Sequence, residues 1–268
     1  MKMKIRSVQL PEEESIPESD MNRFTFLISG ERKIGKSSLC AQFPDTLFLM
    51  CEPGGKALKA RIINIDRWED VKSVVFQLCS QRDYCKTVVI DTGYMFYELC
   101  FDYCLRTMGI DKPSDESWGN AWKLIEREFR SVHSDLINAG FGLIITAHTE
   151  IKEVKKRDGV TYSKLTTQLG GQATRFYNGF VDILCHYNYD SNGKRELIIR
   201  GDDFVEAGTR TEENFFFSDG SPIMSIPMDF SGKKNPAKYA FEHLSDAFYN
   251  RLIKEGGKIN LKGKRERK

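Results

Sequence analysis

No stretch of this chain approaches the roughly 18 consecutive apolar residues that a membrane-crossing helix needs. The opening MKMKIRSVQLPEEE also lacks the apolar core of a secretory signal, so the sequence points to the cytosol and to no membrane partner. An excess of one charge is missing as well. With 40 Lys and Arg against 38 Asp and Glu the formal net charge is +2, so no global field selects nucleic acid and any basic surface has to be local. The paired CxxC cysteines of zinc sites are absent too. Cys40, Cys51, Cys79, Cys85, Cys100, Cys104 and Cys185 are odd in number and read as reduced, buried side chains. What remains is an ordinary globular composition over 268 residues, enough for one large α/β domain or a domain with appendages.

The stretch FTFLISGERKIGKSSL, 24–39, is where chemistry enters. An apolar run leads into a loop bounded by glycines, and Lys36, Ser37 and Ser38 then open a helix. The spacing Gly30-x-x-x-x-Gly35-Lys36-Ser37 is the strand–loop–helix phosphate cradle of P-loop NTPases. Gly30 and Gly35 are expected to take backbone conformations closed to residues with a Cβ, so that successive N–H groups converge on phosphate oxygens. The expected nucleotide contacts are Gly30, Glu31, Arg32, Lys33, Ile34, Gly35, Lys36, Ser37 and Ser38. Lys36 is expected to reach the β- and γ-phosphates and Ser37 to bind Mg²⁺, which makes ATP and Mg²⁺ the expected cofactors.

Further along, TLFLMCE, 46–52, reads as a strand buried on both faces, ending at Glu52 before the turn Pro53-Gly54-Gly55. A short extended piece is expected at 61–65, and a helix over 67–80. KTVVIDT, 86–92, has the Walker B form: strand-forming residues and then Asp91 at the carboxyl end, where it can hold Mg²⁺ opposite Ser37. An aspartate that merely ends a strand in a turn is the alternative, and the coupling to the phosphate loop favours the metal role. Helices are expected at 94–108 and 116–139, with Trp118 and Trp122 as core residues rather than a base-stacking platform. FGLIITAH, 141–148, is the next strand and ends at His148. Residues 150–164 read as a hairpin turning at Asp158-Gly159, with Lys155, Lys156 and Arg157 at its tip either solvated or placed against a phosphate backbone. Strands at 181–187 and 196–203 follow, 204–233 has no clear assignment, and 235–253 reads as a final helix. Residues 1–22 are expected to form a flexible arm, 23–254 the domain, and 255–268 a disordered basic tail with little that can pack.

With these residues placed, the chain resembles the RecA-like ATPases. More closely, it resembles the phage-encoded AAA-type nucleotide-binding proteins related to single-strand-annealing recombination ATPases. The likeness rests on ISGERKIGKSSLCAQFPDTLFLMCEPGGKAL, VVIDT, WGNAWKLIEREFRSVHSDLINAGFGLIITAH, VDILCHY and EAGTR, and covers about 24 to 210. It implies an α/β fold with a RecA-like P-loop NTPase core, a mostly parallel central sheet flanked by helices. It implies that Glu52 polarises the attacking water and that His148, where RecA has a glutamine, relays the state of the γ-phosphate. The basic hairpin then falls where RecA-like proteins contact DNA, and Arg210 would act on a neighbouring subunit's nucleotide. The implied protein is an Mg²⁺-dependent ATPase of phage DNA recombination or replication, in the cytoplasm of a bacterial host or phage-infected cell. Its implied partners are single-stranded DNA, a single-stranded-DNA-binding protein and further copies of itself. A nucleotide-gated assembly or protein-binding factor with slow turnover is the alternative. A small-molecule kinase is a third, which the lysine-rich hairpin suits poorly as a lid.

Overall fold

Runs of β-branched and large apolar residues fit a strand covered on both faces, and this chain places five of them side by side with a half-buried strand at the edge. The computed structural model describes residues 10–157, 159–255 and 258–261. Strands β1 (Thr25–Gly30), β2 (Thr46–Met50), β3 (Arg61–Asn64), β4 (Thr87–Asp91), β5 (Gly142–Lys155), β6 (Thr161–Gln168) and β7 (Ile183–Tyr189) are followed by β8 (Arg195–Ile198), β9 (Gly208–Thr209) and β10 (Ser225–Pro227). The parallel core has the order β7-β1-β5-β4-β2-β3. On its β7 side β8 and β10 add antiparallel strands, β9 pairs with the first residues of β7, and β6 pairs with the outer half of β5.

The helices are α1 (Lys36–Cys40), α2 (Trp68–Ser80), α3 (Gly93–Met108), α4 (Asn120–Asn138), α5 (Gly171–Phe180) and α6 (Pro236–Phe248). Because side chains alternate along a strand, each parallel strand feeds two cores. Leu27, Leu49, Ile90 and Ile145 face a core completed by α2, α3, α4 and α5. Phe26, Ile28, Phe48, Val89 and Ile144 face the opposite core, completed by α1 and α6. In the first core Phe129 lies edge-on or stacked against the rings of Trp68, Phe96, Tyr97, Phe176 and Tyr177. His133 sits fully buried in the same cluster. Its Nδ1 donates to the Phe129 carbonyl at 2.8 Å, and its Nε2 accepts from the Tyr177 hydroxyl at 3.0 Å.

The fold class is as expected: mixed α/β, with a mostly parallel central sheet flanked by helices. Several local expectations give way. Trp118 is 91% exposed, because Trp118 and Gly119 take left-handed conformations (φ 61° and 67°) and α4 starts only at Asn120. Trp122 is partly exposed, against Phe101. The last helix ends at Phe248, and the chain turns into β11 (Leu252–Glu255), paired antiparallel with β12 (Lys258–Leu261). Ile259, expected in an unpacked tail, instead packs on the second core. At the other end Met21 is buried in that core, with its N–H donated to the Tyr249 hydroxyl. Helix α5 was not expected at all. The arm residues 1–9, the turn residue Asp158 and the tail from 262 lie outside the described residues. All seven cysteines are free, and five are buried.

Burial holds the imidazoles of His133 and His186 neutral, with pKa pushed down to about 4 in each. Below about pH 6.5 the unfolded chain therefore binds protons that the fold refuses, and each of these histidines should remove about 1.4 kcal/mol of stability per pH unit down toward pH 4. Urea unfolding at pH 7 and pH 5 should show that loss, with a shallower fall in His133→Gln. Equal stability at the two pH values would contradict it.

Candidate nucleotide site

The carboxyl ends of β1, β2 and β4 converge with the middle of β5 on one cleft of about 480 Å³. Arg32, Lys33, Gly35, Lys36, Ser37, Ser38, Glu52, Asp91 and His148 all line it, so most residues singled out from the sequence meet there. The exceptions in the loop are Gly30, which is buried at the end of β1, Glu31, which is exposed, and Ile34, which is buried in the second core.

The loop glycines are required for different reasons. Gly35 has φ 117°, a left-handed conformation that disfavours any residue with a Cβ. Gly30 does not, which corrects the expectation for it. A Cβ there would lie 2.6 Å from the carbonyl oxygen of Tyr187, because β7 runs directly alongside. Close approach, not turn conformation, selects glycine at Gly30. The loop also carries Lys33 at φ 66°.

Lys36 is 6% exposed, and its ammonium donates to the carbonyls of Gly30 and Glu31 at 2.7 and 2.8 Å. Burial pulls its pKa below the usual lysine range, against the opposing pull of Asp91 and Glu52. Ser37 Oγ donates to Asp91 Oδ2 at 2.6 Å, and Thr146 Oγ1 donates to Asp91 Oδ1 at 2.6 Å. A buried carboxylate is costly unless hydrogen-bonded, and this one has both oxygens held. Thr92, the residue after Asp91, donates its Oγ1 hydrogen to Glu52 Oε1 at 2.6 Å. Glu52 Oε2 lies 3.7 Å from His148 Nε2, beyond hydrogen-bond length. Burial and the nearby Lys36 lower the His148 pKa, so its ring is neutral at pH 7. His148 Nδ1 is buried without a hydrogen-bond partner.

The donor set suits magnesium. Ser37 and Asp91 offer hard oxygens side by side, and Mg²⁺ characteristically takes one or two protein oxygens with phosphate and water supplying the rest. Among the described residues no group of three His, Cys, Asp or Glu side chains could hold a metal on its own. The loop suits a polyphosphate: Gly35 is left-handed and Lys36 is already turned inward over it.

Four contributors escaped the sequence reading: Thr92, Thr146, His186 and Tyr187. His186 Nδ1 lies 3.0 Å from the hydroxyl of Ser29, the residue before the loop, and Tyr187 backs Gly30 and Gly35. Polar residues at the ends of apolar strands were the signal for the two threonines.

The remaining candidates lie apart. Lys155 ends β5, and Lys156 and Arg157 follow it at the tip of the β5–β6 hairpin, all three exposed. Lys156 Nζ pairs with Asp203 Oδ2 at 2.5 Å and lies over the Tyr162 ring. Arg210 is at the opposite, amino edge of the sheet. Its backbone N–H bonds to the Asp182 carbonyl just before β7, and its guanidinium donates to the Gly179 carbonyl at 2.6 Å.

If Thr146 orients Asp91 for the metal, Thr146→Val should weaken Mg²⁺-dependent nucleotide binding by about 10- to 100-fold. Titrating Mg²⁺ against a fluorescent ATP analogue measures this. An unchanged Mg²⁺ midpoint would count against the role.

The family described as AAA domain matches residues 22–211. No curated protein matches the chain. The family match spans well over half the sequence, and with its phosphate loop at the carboxyl edge of a parallel sheet the protein belongs to the AAA-domain family, as an AAA-type P-loop ATPase.

Proposed function

We propose that the chain binds ATP with Mg²⁺ in this cleft, hydrolyses it, and couples turnover to single-stranded DNA in phage recombination or replication. The observation that carries the hydrolytic part is that Glu52 lines the same cleft as Lys36, Ser37 and Asp91, with one carboxylate oxygen held by the Thr92 hydroxyl at 2.6 Å. Phosphoryl transfer to water asks little covalent chemistry of a protein and much positioning of charge. The loop N–H groups and Lys36 neutralise the phosphates, and Ser37 and Asp91 hold Mg²⁺, which supplies further charge neutralisation when bound. Glu52 orients the attacking water, accepting a hydrogen bond from it, and His148 reports on the same space from the end of the buried part of β5.

The DNA part rests on the hairpin. Strand β5 continues from His148 to Lys155 without interruption, so the basic tip and the nucleotide cleft share one strand. Lys155, Lys156 and Arg157 would contact the phosphate backbone, which gives binding that weakens steeply with salt. Arg210 would serve a neighbouring copy in a head-to-tail homo-oligomer, and a single-stranded-DNA-binding protein would be a further partner. One observation favours the alternative of a nucleotide-gated assembly factor. Several hairpin charges are already matched within the chain, by Lys156 with Asp203 and Lys152 with Glu150.

Lys36→Ala should lose nucleotide binding, whereas Glu52→Gln should bind ATP normally and turn over about 100-fold more slowly. Phosphate release and analogue binding, measured side by side, check both. Full turnover in Glu52→Gln would remove Glu52 from the chemistry. Single-stranded DNA should raise the ATPase rate of the wild type, and a triple alanine variant at Lys155, Lys156 and Arg157 should lose the stimulation but keep the basal rate. A rate and an ATP affinity both indifferent to DNA would leave the assembly-factor reading standing.

A further inference from the structure

We propose that Thr92 is a positioning residue for Glu52, fixing one carboxylate oxygen so that the other is presented to the water. The proposal rests on the reading of Glu52 as the water-orienting group, and it turns on how the Thr92 hydroxyl is spent. Thr92 is the N-cap of α3. A threonine there ordinarily accepts a hydrogen bond from a backbone N–H in the first helical turn. Thr92 makes no such cap. Its hydroxyl is turned instead to Glu52 Oε1, 2.6 Å away and 40 residues distant in sequence.

The geometry explains why a tether is needed. Glu52 lies just beyond the end of β2, and the next residues are Pro53, Gly54 and Gly55, the last at φ 78°. Neither strand pairing nor helical packing restrains the glutamate side chain, which is only partly buried. Thr92 is 3% exposed and anchored between Asp91, the last residue of β4, and α3. The bond therefore ties a loosely supported carboxylate to a rigid point one residue from the aspartate that faces Ser37. With Oε1 held by Thr92, Oε2 remains on the side of His148. Misplacement of a reacting group by about 1 Å can cost on the order of 100-fold in rate, so a side chain with this freedom gains much from one fixed contact.

The test compares Thr92→Val, which keeps the branched shape and removes the hydroxyl, with Thr92→Ser, which keeps the hydroxyl, both in the full chain at saturating Mg²⁺. Thr92→Val should lower kcat about 10- to 100-fold with KM for ATP and analogue binding unchanged, and Thr92→Ser should recover most of the loss. Because Thr92 acts through Glu52, the double variant Thr92→Val with Glu52→Gln should be no slower than Glu52→Gln alone. If thermal unfolding shows that the valine variant does not fold, Thr92→Ala removes the hydroxyl without a new methyl contact and serves in its place. The inference is overturned if the hydroxyl-free variant keeps wild-type kcat, if serine is as slow as valine, or if the two losses multiply in the double variant. Full turnover in Glu52→Gln would instead remove the underlying reading. A slow Glu52→Gln beside an unaffected Thr92→Val would sink the positioning role alone.

Discussion

The Asp91 carboxylate, 8% exposed and bonded through both oxygens, ties the rest of the site together. Ser37 reaches it from α1 and Thr146 from β5, while the residue itself ends β4. Three elements that the chain joins through long connections are thus fixed at one point. Leaving either carboxylate oxygen unpaired in this setting would cost about 1 to 3 kcal/mol, so packing of the sheet and geometry of the cleft reinforce each other. The Lys36 ammonium is treated in the same way, buried yet satisfied by the carbonyls of Gly30 and Glu31. These carbonyls hold it over the loop, whose N–H groups it would join in neutralising a phosphate.

Strand β5 gives the arrangement a direction. Thr146 and His148 are two residues apart, so they lie on one face, and they approach the two carboxylates of the cleft in turn: Asp91 and then Glu52. Beyond His148 the same strand leaves the central sheet and becomes one arm of the hairpin, paired with β6 from His148 to Lys155. The hairpin is braced from the side as well. Leu165 and Val205 form a bridge, Phe204 lies against Tyr162, and Lys156 reaches Asp203. The hairpin tip and the two side chains beside Asp91 and Glu52 thus lie on one continuous, hydrogen-bonded strand.

Much of this could be read in the sequence, because parallel strands buried on both faces appear as unbroken apolar runs and the phosphate loop has a fixed spacing. What escaped depends on contacts between distant residues. Gly30 looks like a turn glycine until β7 is laid against β1, which places against it Tyr187, 157 positions further along the chain. Thr92 and Thr146 look like ordinary strand residues, and only register turns them toward Glu52 and Asp91. Trp118 fits the helical spacing of Trp122 and Ile125, but spacing cannot register the left-handed pair that detaches it from α4. Helix α5 lacks a long apolar stripe. It is held by Phe176 and Tyr177 in an aromatic cluster whose other members come from α2, α3 and α4.

The position of Arg210 constrains any assembly. It is fixed by the Asp182 carbonyl at the start of β7, whereas the phosphate loop follows the end of β1, and the two strands run parallel in register from Phe26–Ile183 to Gly30–Tyr187. At about 3.3 Å per residue the paired segment alone is longer than an arginine side chain, so Arg210 cannot serve the nucleotide of its own chain. A role at a nucleotide would require the amino edge of one copy to meet the carboxyl edge of the next. Such a contact is heterologous, and it closes into a ring or continues as a filament according to the rotation between copies. It would also have to replace the hydrogen bond that the guanidinium now makes to the Gly179 carbonyl with one to phosphate oxygen. Both bonds carry the charge of the guanidinium, and the exchange would add an ionised acceptor together with the paired-oxygen geometry that suits the arginine fork.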